Sequence, residues 1–507
     1  MTQTTKVSAI NLLIEKISTT LAGWSTKRFL LTIAAIQIIL HIPIISLPPM
    51  GQHTWRQVVW TAEARNYYEE KDSFFYPSQD VRIAADDKGA LYFEFPLLPY
   101  LIGISYQITG FSHANSRLMM LLMGIVLIFS SHKFMRSFGA SESRARWFTF
   151  FISFSPYFFY YSITASPNMP ALTWFILGIA LINPQLEQQS WNYKFWLGIL
   201  LISLGTLSKA TYLFFGLSVA YLFFYQFYKD RNYITLVVAF VSLLIVLIPN
   251  ALIYLHSNNL AELAPYERQK GVTLSARHFM QSWQDFIATL KPAVIQWFLE
   301  MYVNTMAIPF FLIGSYFALK NKKWRSKQGQ FWVMWLISFL IFSLFFFSRF
   351  RQHAYYMTPI LVFAAMGSTY GIEISLRSGK ARLFICILLF CIPFVMVGRV
   401  GHRWLWAKQV PNELLYQSEE IQQAIPEDAR IMVFGDNTPI VYLYYLHRKG
   451  LSLSPSVEKE KLKEYYEQGI RYVVSEIPIS MISGLRDFSM VKITQIGNFA
   501  VYRLDKQ

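Results

Sequence analysis

Residues 51–99 read GQHTWRQVVWTAEARNYYEEKDSFFYPSQDVRIAADDKGALYFEFPLLP and form a polar, aromatic stretch between long hydrophobic blocks. The whole chain of 507 residues is 54% hydrophobic and only 15% charged, whereas an average soluble domain is about a quarter charged. Its hydrophobic blocks approach the ~20 residues that a helix needs to cross a bilayer. We therefore predict a mainly α, polytopic membrane protein in which this stretch is a loop. The loop holds eight of the 30 carboxylates, namely Glu63, Glu69, Glu70, Asp72, Asp80, Asp86, Asp87 and Glu94.

The basic residues set the predicted orientation of the chain, because short loops rich in Lys and Arg stay in the cytoplasm. With eleven spans, residues 1–28 are cytoplasmic, residues 29–401 form the transmembrane domain, and its first loop, residues 48–116, is extracytoplasmic. The strongest basic loops, all cytoplasmic in this arrangement, lie at residues 133–146, 229–231, 320–327 and 377–382. The predicted spans lie near residues 29–47, 117–132, 147–164, 169–183, 195–209, 211–228, 233–255, 296–319, 330–348, 356–375 and 381–399.

Residues 91–110, LYFEFPLLPYLIGISYQITG, are hydrophobic but do not fit this count. If they crossed the membrane, every later basic loop would move to the outer side. We interpret them as a helix at the outer interface, or partly re-entrant, with Pro96 and Pro99 near its start. Their aromatic residues suit that interface. A twelfth span is the alternative.

The tail, residues 402–507, changes composition sharply and carries 13 of the 30 carboxylates. The same count of eleven spans places the tail outside the cytoplasm. We predict a small α/β domain. Its predicted strands are ARIMVFGD, RYVVSE and NFAVYRL, and its predicted helices are TPIVYLYYLHRKG and KLKEYYEQG.

Several function classes are disfavoured. The net charge of +16 comes from loops whose basic residues orient the chain, so it does not indicate nucleic-acid binding. Cys386 and Cys391 lie within the last predicted span and offer neither a disulfide framework nor a metal site. The sequence has no phosphate-binding glycine loop, zinc motif or apparent signal peptide. The spans contain almost no charge, whereas ion and proton transporters use charged residues at membrane depth.

The candidate site residues come from the outer loops. Glu94 is flanked by aromatic and apolar residues, which suits a general base, although it could instead cap the helix near Pro96. Arg56 suits a phosphate because its planar group binds oxygens bidentately. Lys209 lies between two spans and could bind a lipid phosphate or extend to headgroups. Arg349, Arg351 and His353 form an outer basic cluster against the positive-inside trend.

Together these segments resemble the GT-C membrane glycosyltransferases, in particular the bacterial relatives of protein O-mannosyltransferases and of the lipid A aminoarabinose transferase. Such enzymes move a sugar from a polyprenyl phosphate to an acceptor on the outer side of the membrane. The segments that carry the resemblance are HTWRQVVWTAEARNYY (53–68), YFEFPLLPYL (92–101), SPNMPALTWF (166–175), LSKATYLFF (207–215), HAYYMTP (353–359) and VFGDNTPIVYLYYLHRKG (433–450).

The resemblance implies a GT-C bundle and a set of site residues. Glu94 matches the glutamate of the family's FE-P motif and is the implied catalytic base. The implied substrate- and phosphate-binding residues are His53, Arg56, Lys209, Arg351, His353 and Tyr355. Two departures from the family pattern stand out: many relatives carry an acidic residue after the first span where this chain has His53, and Asn168 replaces an aspartate. Glu63 and Asp80 are therefore reserve candidates for the base.

The resulting hypothesis is an inverting glycosyltransferase of the bacterial inner membrane. Its donor is an undecaprenyl-phosphate-linked sugar, its acceptor is an envelope glycan, lipid or protein, and no cofactor or metal is required by the sequence. The alternatives are a flippase or transporter for lipid-linked saccharides, and a non-catalytic subunit of a glycan assembly complex. The identities of the sugar and acceptor, and the oligomeric state, do not follow from the sequence.

Overall fold

The chain is mainly helical, as predicted. The computed structural model describes residues 23–83, 89, 94–263, 283–377, 382–486 and 488–505. Most of the predicted N-terminal segment, together with Asp86 and Asp87, lies outside these residues. The helices before the tail are α1 Thr26–His41, α2 Thr54–Glu69, α3 Leu97–Thr109, α4 His113–Ser137, α5 Glu142–Ser153, α6 Pro156–Tyr161, α7 Asn168–Glu187, α8 Tyr193–Ser208, α9 Gly216–Asp230, α10 Ile234–Leu263, α11 Trp283–Lys291, α12 Ile308–Lys320, α13 Lys327–Phe346, α14 Ile360–Arg377 and α15 Arg382–Val400.

The chain is a multi-pass membrane protein. Among the described residues, eight helical segments are long and apolar enough to cross a bilayer. Helices also occupy the remaining predicted spans, although they are shorter or less apolar. The predicted span at 147–164 is divided between α5 and α6, because Ser155 caps α6 and Pro156 stands at its first position. The count of eleven spans stays a prediction.

Residues 97–109 form the short helix α3, as the analysis of residues 91–110 predicts. Its 13 residues reach only ~20 Å at 1.5 Å per residue, less than the ~30 Å hydrocarbon core of a bilayer. Residues 91–93 lie outside the described part of the chain. The length of α3 disfavours a twelfth span, and its position at the interface stays a prediction.

The tail is an α/β domain, as predicted. Its five-stranded sheet has the order β2-β1-β3-β5-β4, in which β1, β2 and β3 are parallel and β5 runs antiparallel to both of its neighbours. The sequence did not predict β2 and β4. The elements are α16 Asn412–Tyr416, α17 Ser418–Gln423, β1 Ile431–Phe434, α18 Val441–Leu446, β2 Gly450–Leu453, α19 Lys459–Glu467, β3 Tyr472–Ser475, β4 Met490–Ile496 and β5 Phe499–Leu504.

The tail packs directly on the first loop. The backbone of Val81 pairs with Gly450 at the start of β2, and the Tyr445 hydroxyl donates a hydrogen bond to the Pro49 carbonyl. Helix α18 packs against α2, which is buried almost throughout its length. Helix α2 is thus held between the transmembrane bundle and the tail, and its orientation depends on both.

Candidate active site

Glu94 lies between two cations. One carboxylate oxygen, Oε1, is 2.5 Å from the Lys209 ammonium, and the other, Oε2, pairs with the Arg56 guanidinium. The three side chains are only 9–12% exposed. They come from three separate places in the chain: the first turn of α2, the third position before α3, and the residue that follows α8. Because partly buried ion pairs are poorly screened, this cluster is a strong local charge arrangement.

The start of α2 places Arg56. Gly51 adopts a φ of +84° and lies so close to the Trp404 carbonyl oxygen that a Cβ would be 2.3 Å from it. The next residue, Gln52, donates its backbone N–H to that oxygen at 2.7 Å. His53 then takes the left-handed conformation, with φ 58°, before the first helical turn. A buried histidine in this conformation is uncommon and is typical of functional sites.

Close packing between α2 and α3 brings Glu94 to Arg56. A Cβ at Gly103 of α3 would lie 2.8 Å from the Tyr67 Cβ and 2.9 Å from the Ala64 carbonyl oxygen of α2. Only glycine lets the two helices approach this closely. Glu94 precedes α3, whose N-terminal cap position is Pro96, without a side-chain cap. The alternative in which Glu94 caps this helix is therefore wrong.

Lys209 faces Glu94 and the rings of Tyr355 and Tyr356. Its backbone is extended and ends α8, and its ammonium lies 5.3 Å from the centre of the Tyr356 ring and 5.9 Å from that of Tyr355. These are cation–π distances. The side chain is 10% exposed, so it does not extend toward lipid headgroups.

Two histidines line the same site. The ring of His53 is 5.6 Å from that of His353 and 4.9 Å from that of Tyr355, measured between centroids. Burial, with the other histidine and Arg56, lowers the pKa of His53 to about 3. Burial, with Arg349, Arg56 and Lys209, lowers the pKa of His353 to about 4. Both imidazoles are therefore neutral at pH 7.

Some polar atoms of the site lack partners among the described residues. These buried atoms are His53 Nε2, His353 Nδ1 and Arg56 Nε. Asn168 Nδ2, at the second departure from the family pattern, is also buried without a partner in that part of the chain. Buried polar groups are normally hydrogen-bonded. A neutral imidazole can donate one hydrogen bond and accept another, so the His53 and His353 nitrogens suit a ligand that carries hydroxyl groups.

Arg351 does not join the cluster. Its side chain is exposed and forms no hydrogen bond or ion pair with another described residue. Arg349, two residues earlier, contributes the charge that acts on His353 and Tyr355. Of the two arginines in this turn, Arg349 is the one whose charge acts on the candidate site. Tyr356 also contacts Lys209 and was not among the predicted residues.

Glu63 lies about two helical turns along α2 from Arg56, on the same face of the helix, and is buried. Its Oε1 accepts a hydrogen bond of 2.8 Å from Gln79 Nε2. Burial raises the pKa of Glu63 to about 8, against the opposing charge of Arg56. Glu63 is therefore mainly protonated at pH 7 and can accept a proton only in its minor, ionised fraction, so it stays a reserve candidate for the base.

We predict that Glu63→Gln removes a pH dependence of stability. The raised pKa means that the contribution of Glu63 to stability is complete below pH ~4.5 and is lost as the pH rises through about 8. At pH 8 the variant should be more stable by about 2–4 kcal/mol, since one pKa unit is 1.36 kcal/mol. Apparent melting temperatures of the detergent-solubilised protein at pH 5 and pH 8 measure the effect, with the exposed Glu420→Gln as control. An equal pH response in wild type and Glu63→Gln would contradict it.

Asp80, the other reserve base, lies apart from this cluster. Its carboxylate is 2.5 Å from Arg65 Nη2 and 2.7 Å from Lys449 Nζ, and it is fully buried. Burial alone would raise the pKa of Asp80, but Arg65 and Lys449 together lower it below the ordinary value. The pair joins the first loop to the tail, since Lys449 also binds Asn66 Oδ1 at 2.7 Å. The geometry indicates a structural role for Asp80.

A family model and several solved structures are similar to this chain. The model described as dolichyl-phosphate-mannose-protein mannosyltransferase matches residues 94–254, a segment that begins at Glu94 and includes Lys209. No curated protein sequence matches the chain.

ArnT from Cupriavidus metallidurans, solved in the apo state and bound to undecaprenyl phosphate, superposes with a TM-score of 0.63. The alignment covers 94% of this chain and 98% of ArnT at 12% identity. The chain has a GT-C fold. The oligosaccharyltransferase of Archaeoglobus fulgidus, in its complex with zinc and sulfate, superposes with a TM-score of 0.54, covering 88% of this chain and 67% of that chain at 15% identity. The GT-C resemblance predicted from the sequence is thereby confirmed at the level of the fold.

Most of the charged side chains in the candidate site are cations. Among the described residues, no three His, Cys, Asp or Glu side chains are grouped as ligands for a metal ion. In the candidate site two cations already engage Glu94. The arrangement suits an anionic ligand beside a polyhydroxyl one.

Proposed function

We propose that the protein transfers a sugar from a polyprenyl phosphate to an envelope acceptor. The observation that carries this proposal is the cluster of Glu94, Arg56 and Lys209 in a GT-C fold. One carboxylate and two cations are the groups that such a transfer needs. The donor is an undecaprenyl-phosphate-linked hexose or pentose, and the acceptor is a glycan, lipid or protein. That ArnT was solved with undecaprenyl phosphate supports the donor class.

Glu94 and the two cations, Lys209 and Arg56, have different roles in the proposed reaction. The acceptor oxygen attacks the anomeric carbon from the side opposite the phosphate, and its proton passes to the Glu94 carboxylate. The bond between the anomeric carbon and the phosphate oxygen breaks, and its electron pair leaves with the phosphate. Lys209 and Arg56 stabilise the charge on that leaving group. Since phosphate leaves without being protonated, a single base suffices and the product is inverted, unlike glycoside hydrolysis, which needs an acid as well.

The neutral histidines complete the site. His53 and His353, with Tyr355, bind hydroxyl groups of the sugar or acceptor, because their free ring nitrogens can both donate and accept. The donor lipid lies among the transmembrane helices with its phosphate near Lys209. The site faces the extracytoplasmic side of the bacterial inner membrane, with residues 1–28 cytoplasmic and the tail outside. This orientation follows from the basic loops.

The experiment is transfer by the purified protein in detergent or liposomes. A panel of undecaprenyl-phosphate-linked sugars is incubated with envelope extract, and free undecaprenyl phosphate is measured together with sugar on the acceptor. We expect release and transfer to appear together for one donor. Movement of a donor across liposomes without release would overturn the proposal in favour of a flippase. Absence of both activities across the panel would favour a non-catalytic subunit.

A further inference from the structure

Each oxygen of the carboxylate proposed as the base lies against a cation. Lys209 holds one oxygen of Glu94 at 2.5 Å and Arg56 holds the other. A general base must reach the hydroxyl proton within about 3 Å. Release of either cation therefore makes an oxygen of Glu94 available to an acceptor hydroxyl.

The same two cations are the groups proposed to receive the donor phosphate. The donor phosphate is a diester with one negative charge, equal to that of a carboxylate, and its unbridged oxygens accept hydrogen bonds as a carboxylate does. The undecaprenyl phosphate released by transfer is a monoester with more negative charge. Arg56 can bind phosphate in bidentate fashion, and its Nε has no hydrogen-bond partner among the described residues. Lys209 can pivot between anions because an ammonium on a flexible stem has no fixed direction of approach. Glu94 and the phosphate therefore compete for these cations.

We infer that donor binding activates the base: the donor phosphate draws Lys209 and Arg56 away from Glu94 and frees its carboxylate for the acceptor. The inference rests on the proposed function and adds an order in which donor and acceptor bind. The donor binds first, and the acceptor hydroxyl is deprotonated only when a donor is present.

The other charged groups around Glu94 do not take the place of Arg56 and Lys209 as its partners. Arg349 lies near His353 and Tyr355, and the two histidines are neutral at pH 7. Glu63, on the same helix as Arg56, adds negative charge only when it is ionised. The titratable and charged groups that face Glu94 are Arg56 and Glu63 from α2, Lys209 from the end of α8, and Tyr355 and Tyr356 from the turn after His353.

The test is a double-mutant cycle on binding of undecaprenyl phosphate to the full-length protein, measured by calorimetry in detergent. The four proteins are wild type, Glu94→Gln, Lys209→Met and the double variant. If the carboxylate competes with phosphate for Lys209, Glu94→Gln binds undecaprenyl phosphate about tenfold more tightly than wild type, which corresponds to one ion pair of about 1.4 kcal/mol. In the Lys209→Met background the gain falls to about threefold or less, because that competition is already absent.

The outcomes separate this inference from the proposed function. If undecaprenyl phosphate fails to bind wild type, or binds it and Lys209→Met equally, the phosphate does not occupy this cluster and both proposals are overturned. If binding needs Lys209, but Glu94→Gln tightens it equally in both backgrounds or not at all, only the inference is overturned. The exposed Lys229→Met is the matched control. Should Glu94→Gln not yield folded protein, Glu94→Asp replaces it, since its shorter side chain also loosens the pair.

Discussion

Replacing Glu94 with Gln lowers the turnover of sugar transfer by about 10²–10⁴-fold, the range that a general base contributes. The substitution keeps the size of the side chain and removes only its charge. The donor phosphate still meets Lys209 and Arg56, so the Michaelis constant for the donor stays the same or falls. The measurement is initial rates of undecaprenyl phosphate release at several donor concentrations, with the donor that wild type uses.

The separate effects of Glu94→Gln on kcat and KM distinguish loss of the base from damage to the fold. A mutation that damaged the fold or the donor site would raise KM, whereas loss of a group that acts only in the transition state lowers kcat. Glu420→Gln, on the surface of the tail, is the matched control and keeps full activity. Equal turnover by wild type and Glu94→Gln would remove Glu94 as the base. Because Asp80 is fixed by two cations, Glu63 in its ionised fraction is then the reserve candidate.

The sequence suggested candidate residues because they lie in short motifs at the ends of hydrophobic blocks, and the structure brings Glu94, Arg56 and Lys209 together. The sequence did not show how these residues pair. The residues that flank Glu94 predict an aromatic and apolar environment, whereas its side chain lies against Lys209, which is 115 positions away. Local sequence cannot reveal such a contact, since it depends on how α2, α3 and α8 pack. The choice of Arg351 rather than Arg349 has the same origin, since tertiary structure decides which arginine of the turn lies near enough for its charge to act on His353 and Tyr355.

The fold was predictable where the hydrophobic pattern is long. Helices occupy all eleven predicted spans, but interruptions were missed where single residues break a helix. Asn304, for example, adopts φ 73° between two helical segments of the predicted span at 296–319. In the tail, helix α18 ends at Leu446 because His447 takes the left-handed conformation, and Gly450 instead opens β2. Strand β4 was missed because it lies at the sheet edge with mostly exposed side chains, so it lacks a buried face.

Replacing Asp80 with Asn destabilises the protein by about 3–5 kcal/mol, the cost of removing one partner of a buried ion pair. Arg65 would remain 2% exposed without its carboxylate, and Lys449 would lose one of its anions. The matched control is Asp505→Asn, which removes an exposed pair with Arg503 in the same domain and should cost about 1 kcal/mol or less. Apparent melting temperature and protease sensitivity of the tail measure both variants. Equal effects of the two substitutions would contradict the prediction.

The pH dependence gives an independent check on Asp80. Since the pKa of Asp80 is lowered in the folded protein, its contribution is complete above its ordinary value of ~3.9 and is lost as the pH falls below it. Wild type should therefore lose more stability than Asp80→Asn on acidification below pH 4. The effect reaches the site because Arg65 lies on the same helix as Arg56, and Arg65 also donates to the Tyr444 carbonyl of the tail at 3.1 Å. Loosening the tail from α2 should therefore displace Arg56 from the position proposed for binding the donor phosphate and reduce transfer, although Asp80 lies apart from the Glu94 cluster.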